Sequence, residues 1–561
     1  MPLEPPNIFA SRTYLLLLKL KQTYFKNSAR MNNLRTPDLL IIGLYLAAMI
    51  GVGIHFSRKN ENADHYSRAS GLIPGWAIGL SIYATFLSSN TFLGVPGKAF
   101  GSNWNAFVFS ISMPFAAWVA TKYFIPFYRS TGEISAYTHL EHRFGPWART
   151  YAVVCFLLTQ LARIGSIFYG IALTLQALTG FSMDVIMLVT GICIIIYTVL
   201  GGIEAVIWTE VVQGVIKTIG ALLIIGLIVY DMPGGIAKIV EIGQAQHKFS
   251  LGGFNLDFTQ STFWVVFLYG FFINLSNFGV DQNYVQRYHT AASLPQAAKS
   301  LWLCVWLYVP ASLLFLIIGS SLFAYYQVHP EFIQAVKLQV AAATLPATAT
   351  ATQLASAAAR LSPADYGDKV MPQFIVTKIP VGFVGLIVSA ILSAAMSTIS
   401  SGMNASATVF TVDIYQRYVR PGMTSRQTLR LLHLATVCFG LLGMGTGIAM
   451  IGVKSVLDTW WELSGIFAAG MLGLFLLGVI SRQTRSPEAL TATIIGICVI
   501  VWMTFSGRLP DEYAGLRSLL HKSMIIVVGT LTIFLTGLLL SKFRKDTAVY
   551  SPAEPLKQSA H

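Results

Sequence analysis

The sequence predicts an all-α integral membrane protein of about thirteen transmembrane helices, and three observations carry that reading. The 561-residue chain is 54% hydrophobic and only 11% charged, too apolar to fold behind a water-facing surface. Uncharged runs of about twenty residues, each long enough to cross the hydrocarbon, recur from end to end. Two of those runs, at corresponding places in two halves, are interrupted by Gly, Asn and hydroxyl residues, the pattern of inverted repeats. A soluble multidomain enzyme is excluded by the recurrence. The formal charge of +14 does not indicate a nucleic-acid partner, because the basic residues sit mostly in short loops between apolar runs.

The elements follow in order. Residues 1–36 form a basic extension with Arg12, Lys19, Lys21, Lys26, Arg30 and Arg35; its apolar island "YLLLL" is too short for a span, and translation is expected to start at Met31. Spans are expected at 38–56, 74–96, 105–128, 150–178, 184–200 and 205–230, then at 262–283, 300–326 and 374–403. The last four are 430–452, 460–480, 488–506 and 521–541, ahead of a cytoplasmic tail, 542–561. The whole of 38–541 reads as one transmembrane domain, with a first repeat at about 74–230 and a second at about 262–480. Threaded alternately, the loops "SRKNENADHYSR", "HRFGPWAR", "VQRYHTAASLPQAAK", "IYQRYVRPGMTSRQTLR" and "SRQTR" share one side, which is the cytoplasm by the positive-inside rule. The N-terminus is then outside, the C-terminus inside, and the protein a multi-pass plasma (inner) membrane protein. The loops at 231–261 and 328–373 fall outside, the second Ala/Thr-rich with some amphipathic helix. Cys155, Cys193, Cys304, Cys438 and Cys498 lie in apolar runs without CxxC pairing, and "HLEHR" lacks the HExxH arrangement, so no disulfide framework or zinc site is expected.

The chemistry lies where polar residues enter the spans. The second reads "IGLSIYATFLSSNTFLGVPGKAF", with Ser88, Ser89, Asn90 and Thr91 at mid-depth, and the seventh reads "FFINLSNFGVDQNYVQRY", interrupted at Asn274, Ser276, Asn277, Gly279 and Asp281. A helix broken in the membrane frees carbonyls that need partners, and a dehydrated sodium ion, a hard cation seeking several oxygens, supplies one. The ninth span supplies hydroxyls. In "STISS", Ser397 and Thr398 form one pair and Ser400 and Ser401 another three residues on, so members of both share a face. A single serine would be read as back-bonded to its own helix or as glue between helices; four hydroxyls in five residues read as an ion site. Two charges inside spans, Arg163 and Glu210, are candidates because Arg or Asp at a helix centre costs about 2.5–3.5 kcal/mol to insert. Arg163 has no acidic partner in its own span, so its planar fork suits a solute carboxylate, the alternatives being snorkelling, a structural ion pair or pinning by helix-end carbonyls.

"YTVLGGIEAVIWTEVVQG", "DQNYVQRY", "SAYTHLEHRFG" and "GLIVSAILSAAMSTISSGMNASATVFTVDIY" resemble the sodium:solute symporter family, over about residues 38–541. Within it, "YATFLSSNTF" and "ARIGSIFYGIAL" are most similar to the bacterial sodium:sialic acid branch. The resemblance implies a leucine-transporter-like fold of two inverted five-helix repeats that works by alternating access, with Na+ as coupling ion. It implies a main sodium site from the carbonyls of Ala84, Leu87 and Ala394 and the hydroxyls of Ser397 and Thr398. A second site would use Ser400, Ser401 and Glu210, where the family usually has Asp. The solute would lie against Phe86, Ser88, Thr91, Ser110 and Arg163; Phe86 and Ser110 stand where the sialic acid branch has Thr and Gln.

The expected activity is sodium-coupled import of a small organic solute, an anionic sugar acid or a monocarboxylate, with a neutral sugar of the glucose/galactose type as the alternative. An ion channel or a transporter-like sensor is the alternative from a different class. No GxxxxGK[ST] is present, so ATP-driven pumping is not expected. Without a buried carboxylate pair, a nucleophile beside a His, or a metal cluster in the sequence, neither is an enzyme.

Overall fold

The computed structural model describes residues 34–57, 66, 73–133, 135–346, 349–453 and 455–543. The expectations for the basic extension with its start at Met31, and for the tail after Phe543, lie outside the described residues. Among those residues every regular element is a helix, apart from one isolated bridge between Ile73 and Ala291.

The helices that build the domain, in chain order, are α1 (Thr36–Ser57), α2 (Gly75–Phe86), α3 (Ser89–Gly101), α4 (Trp104–Thr131), α5 (Pro146–Thr179), α6 (Met183–Asp231), α7 (Phe263–Val280) and α8 (Gln282–Thr290). They continue as α9 (Leu294–Val328), α10 (Phe383–Val409), α11 (Ser425–Ala449), α12 (Val456–Ile480), α13 (Ser486–Phe505) and α14 (Met524–Lys542). Eleven of the described helices are long and apolar enough to cross a membrane, twelve with α2 and α3 taken as one bent span. The 49-residue α6 is counted once there. As a straight rod it would be roughly 75 Å long, more than twice the hydrocarbon thickness. Gly202 resolves the excess: its φ of 57° and ψ of −166° break the helical path between the arms 183–201 and 203–231, where the sequence placed two spans. Counting the arms separately brings the crossings to about thirteen.

Two breaks organise the interior. Between α2 and α3 the chain turns by 54° at Leu87 and Ser88, the latter extended (φ −89°, ψ 177°). Between α7 and α8, Asp281 is extended (φ −74°, ψ 120°) and its carboxylate accepts the Asn283 N–H at 2.8 Å, restarting the helix. Each break opens one five-crossing set, α2–α6 and α7–α12.

The long α6 packs along α10, and α1 lies against both. Asp38 in the first turn of α1 is buried and accepts the N–H groups of Gly382 and Gly385 at 2.8 Å each, satisfying orphan donors at the start of α10. Gly385 has to be glycine, since a Cβ there would stand 2.8 Å from the Asp38 backbone. At the other end of α10, Arg149 joins Asp413 (2.5 Å) and Glu141 (2.9 Å), and Arg417 also pairs with Glu141. The loop expected at 328–373 is more ordered than its composition suggests, carrying helices Pro330–Thr344, Ala351–Ala359 and Pro363–Lys378.

Candidate functional site

When α2 stops at Phe86 its last carbonyls lose their helical partners. Each finds another. Ala84 O accepts from Ser397 Oγ (3.0 Å), Thr85 O from Thr398 Oγ1 (3.0 Å) and Phe86 O from the Ser88 N–H (3.0 Å). Ala84 O (2.6 Å) and Leu87 O (2.9 Å) also accept from Lys217 Nζ, which donates to Ser397 Oγ at 2.9 Å as well. The fold thus draws Ala84, Leu87 and Ser397 around one point. Thr398 sits on the adjacent carbonyl, and Ala394 O accepts from both hydroxyls at 3.3 and 3.4 Å. At the centre of this cluster is the fully buried ammonium of Lys217, which the sequence reading missed. The signal was there: Lys217 lies in the sixth span, seven residues after Glu210, two turns along the same face.

Glu210 does reach the hydroxyl stripe, but in different company. Its carboxylate accepts from Ser81 Oγ, Ser401 Oγ and Thr85 Oγ1 (3.3 Å), and from Arg287 Nη2 at 2.9 Å on one oxygen and 2.7 Å on the other. Arg287 is 1% exposed and also donates to Asn283 O (2.5 Å). The second ion site expected from Glu210, Ser400 and Ser401 therefore contains a guanidinium. Ser400 does not join the group; its hydroxyl turns back to Ser397 O at 3.2 Å, the ordinary habit of a helical serine in a membrane.

On the other side of the α2–α3 break a small cavity opens, lined by aromatic, hydroxyl and amide side chains. All five residues expected to touch a solute, Phe86, Ser88, Thr91, Ser110 and Arg163, line it, joined by Asn277, Tyr284, Trp460 and Trp461. Phe86 is held by rings on three sides, its centroid 5.4 Å from Phe278, 5.0 Å from Tyr284 and 5.4 Å from Tyr308. Ser110 is turned to Ser312, 2.7 Å between hydroxyls. Arg163, without an acid in its own span, finds one in another and makes the structural ion pair that was the alternative to a solute: Nη1 lies 3.3 Å from Asp281 Oδ2 and Nη2 donates to Asn277 Oδ1 at 3.3 Å. Its guanidinium carbon stands 5.1 Å from the centre of the Trp460 ring. The acid comes from the α7–α8 break, so distance along the chain hid a contact that the broken helix creates. No group of three or more His, Cys, Asp or Glu able to hold a metal occurs among the described residues.

The model of the sodium:solute symporter family matches residues 66–496. Among curated proteins, a sodium/sialic acid symporter of Aliivibrio fischeri is 34% identical over 505 residues, covering 89% of this chain and 93% of that protein. A sodium/sialic acid symporter of Proteus mirabilis is 32% identical over 493 residues, covering 87% and 93%. Among solved structures, a substrate-bound, outward-open Na+-coupled sialic acid symporter superposes with a TM-score of 0.78 at 29% identity, covering 93% of this chain and all of that one. Helices that cross the membrane, two mirrored breaks, a central polar cavity and this extent of likeness place the chain in the sodium:solute symporter family, as a secondary transporter and not an enzyme.

Proposed function

We propose that the chain imports a small carboxylated sugar by alternating access, using the sodium gradient that drives its family, and that the solute lies in the cavity between Phe86 and Arg163. The observation that carries this is Arg163: a guanidinium 7% exposed, lining the cavity and held by Asp281 and Asn277. Its guanidinium also lies over the Trp460 ring, a cation–π contact on the cavity wall. A carboxylate is the partner such a fork selects, through two parallel charged hydrogen bonds. Ser88, Thr91 and Asn90 line the same wall and offer donors and acceptors to sugar hydroxyls. Sialic acid, the solute named for the two bacterial relatives, meets both requirements. The transport domain in this reading spans 38–541, with repeats at about 74–230 and 262–480, the N-terminus outside and the C-terminus in the cytoplasm of a bacterial-type inner membrane.

The test is uptake into vesicles of sialic acid and of its methyl ester, with and without a sodium gradient. The acid is expected to enter and the ester to lag by about tenfold or more, because a charged hydrogen bond contributes about 1.5–3 kcal/mol. Arg163→Lys keeps the charge but loses the fork and is expected to transport poorly, and Arg163→Ala to fail with the acid. Equal sodium-driven uptake of acid and ester would refute the carboxylate clamp in favour of a neutral sugar.

A further inference from the structure

Transport in this family is named for sodium, and the seat expected for it consists of Ala84, Leu87, Ala394, Ser397 and Thr398. In this chain those residues do not fit a sodium ion. Lys217 Nζ lies 2.6 Å from Ala84 O, 2.9 Å from Leu87 O and 2.9 Å from Ser397 Oγ, the separations of N–H donors from oxygen acceptors. An ammonium has three such donors, and three acceptors meet them. The remaining oxygens are engaged within the protein, Thr398 Oγ1 with Thr85 O and Ala394 O with the two hydroxyls. The lysine is fully buried on a helix interior. The nearest acid on its own face, Glu210, is already surrounded by Arg287, Ser81, Thr85 and Ser401, so the ammonium has no second acceptor to move to. Two positive charges cannot share one small shell of neutral oxygens in a low-dielectric interior.

We propose that the ammonium of Lys217 is the resident cation of the main seat, standing where a sodium ion is expected and tying the broken helix α2 to α10 through Ser397. Any sodium that drives uptake then acts away from Ser397 and Thr398. The inference rests on the transport reading only for alternating access.

The decisive measurement is binding of radiolabelled sodium to the purified full-length chain, which needs no solute. Wild type is expected to show no sodium binding that Ser397→Ala/Thr398→Ala removes. Lys217→Met, which keeps the length and loses the charge, is expected to bind one more sodium than wild type, and Lys217→Met/Ser397→Ala/Thr398→Ala to lose it again. In vesicles, the half-saturating sodium concentration of wild type is expected not to move in Ser397→Ala/Thr398→Ala. A rise of about tenfold in that variant, or loss of sodium binding by it, would overturn the proposal. Should Lys217→Met fail to fold, the comparison of wild type with Ser397→Ala/Thr398→Ala decides by itself. If wild type moves no solute under any gradient the transport reading fails, and the binding measurement still decides who holds the seat.

Discussion

Glu210→Gln separates an ion ligand from the partner of a buried cation. The wild-type carboxylate accepts from Arg287, Ser81, Ser401 and Thr85, and both members of the ion pair are buried, with side chains 0% and 1% exposed. Glutamine keeps one acceptor oxygen and places an NH2 group where several donors converge. Arg287 is left without a countercharge. Removing one partner of a buried pair costs about 3–5 kcal/mol, which at about 1.4 kcal/mol per tenfold is a loss of roughly 150-fold or more in the folded-to-unfolded ratio. Arg287→Met alone is expected to cost a similar amount, whereas Glu210→Gln/Arg287→Met removes both charges of the pair and is expected to recover at least half of the loss. Heating the detergent-purified variants and following the surviving monodisperse fraction by fluorescence-detected size exclusion reads this out. A Glu210→Gln protein as heat-stable as wild type, with a less steep dependence of uptake on sodium, would refute the ion-pair account and restore Glu210 as a sodium ligand.

Three further outcomes test how the scaffold is held. Asp38→Ala removes the acceptor for the N–H groups of Gly382 and Gly385, so α10 should lose about 0.5–2 kcal/mol of support, seen as a lower unfolding temperature. Gly319→Ala places a Cβ 2.3 Å from Pro96 O in the neighbouring half-helix α3, so α9 and α3 must separate; a cost of about 1–3 kcal/mol is expected, and an unchanged unfolding temperature would contradict the close approach. Lys248, in the loop after α6, donates to Phe100 O (2.7 Å) and Ser102 O (2.8 Å), and burial lowers its pKa from 10.5 to about 8. The unfolded chain then holds more protons between those values, so stability should rise with pH from about 8 to 10.5, and Lys248→Met should flatten that part of the profile in a denaturation series.

The crossings were legible because lipid removes every alternative to a satisfied helix, and so were the breaks, because Gly, Asn and Ser clusters have few other uses at that depth. The split placed between 184–200 and 205–230 falls at Gly202, whose positive φ breaks the helical path there. That Phe86, Ser88, Thr91 and Arg163 share one cavity was legible, since the first three come from one segment and Arg163 from a span with no other charge. What faces Arg163 was not: Asp281 lies more than a hundred residues on and reaches it only through the extended turn between α7 and α8. Lys217 and Arg287 were missed for a related reason. Hydroxyls and carbonyls suited to a metal ion suit an ammonium or a guanidinium equally, and a stripe of oxygens does not state which cation it serves. Ser400 shows the opposite error, a hydroxyl at the right spacing whose bond stays within its own helix.

A cation that is part of the chain does no net electrical work. A sodium ion released inside the cell gives up the whole drop in membrane potential, about 2.3 kcal/mol per 100 mV, while a lysine returns with the carrier and contributes nothing over a full cycle. For a solute with one negative charge, the first released sodium cancels the electrical penalty of bringing the anion in. A second would raise the attainable inside-to-outside ratio by roughly 40-fold at 100 mV, before its own concentration gradient is counted. On the proposal that Lys217, donating to Ala84, Leu87 and Ser397, holds the main seat, that second increment is absent there, and the steady-state ceiling on accumulation is lower by at least that factor.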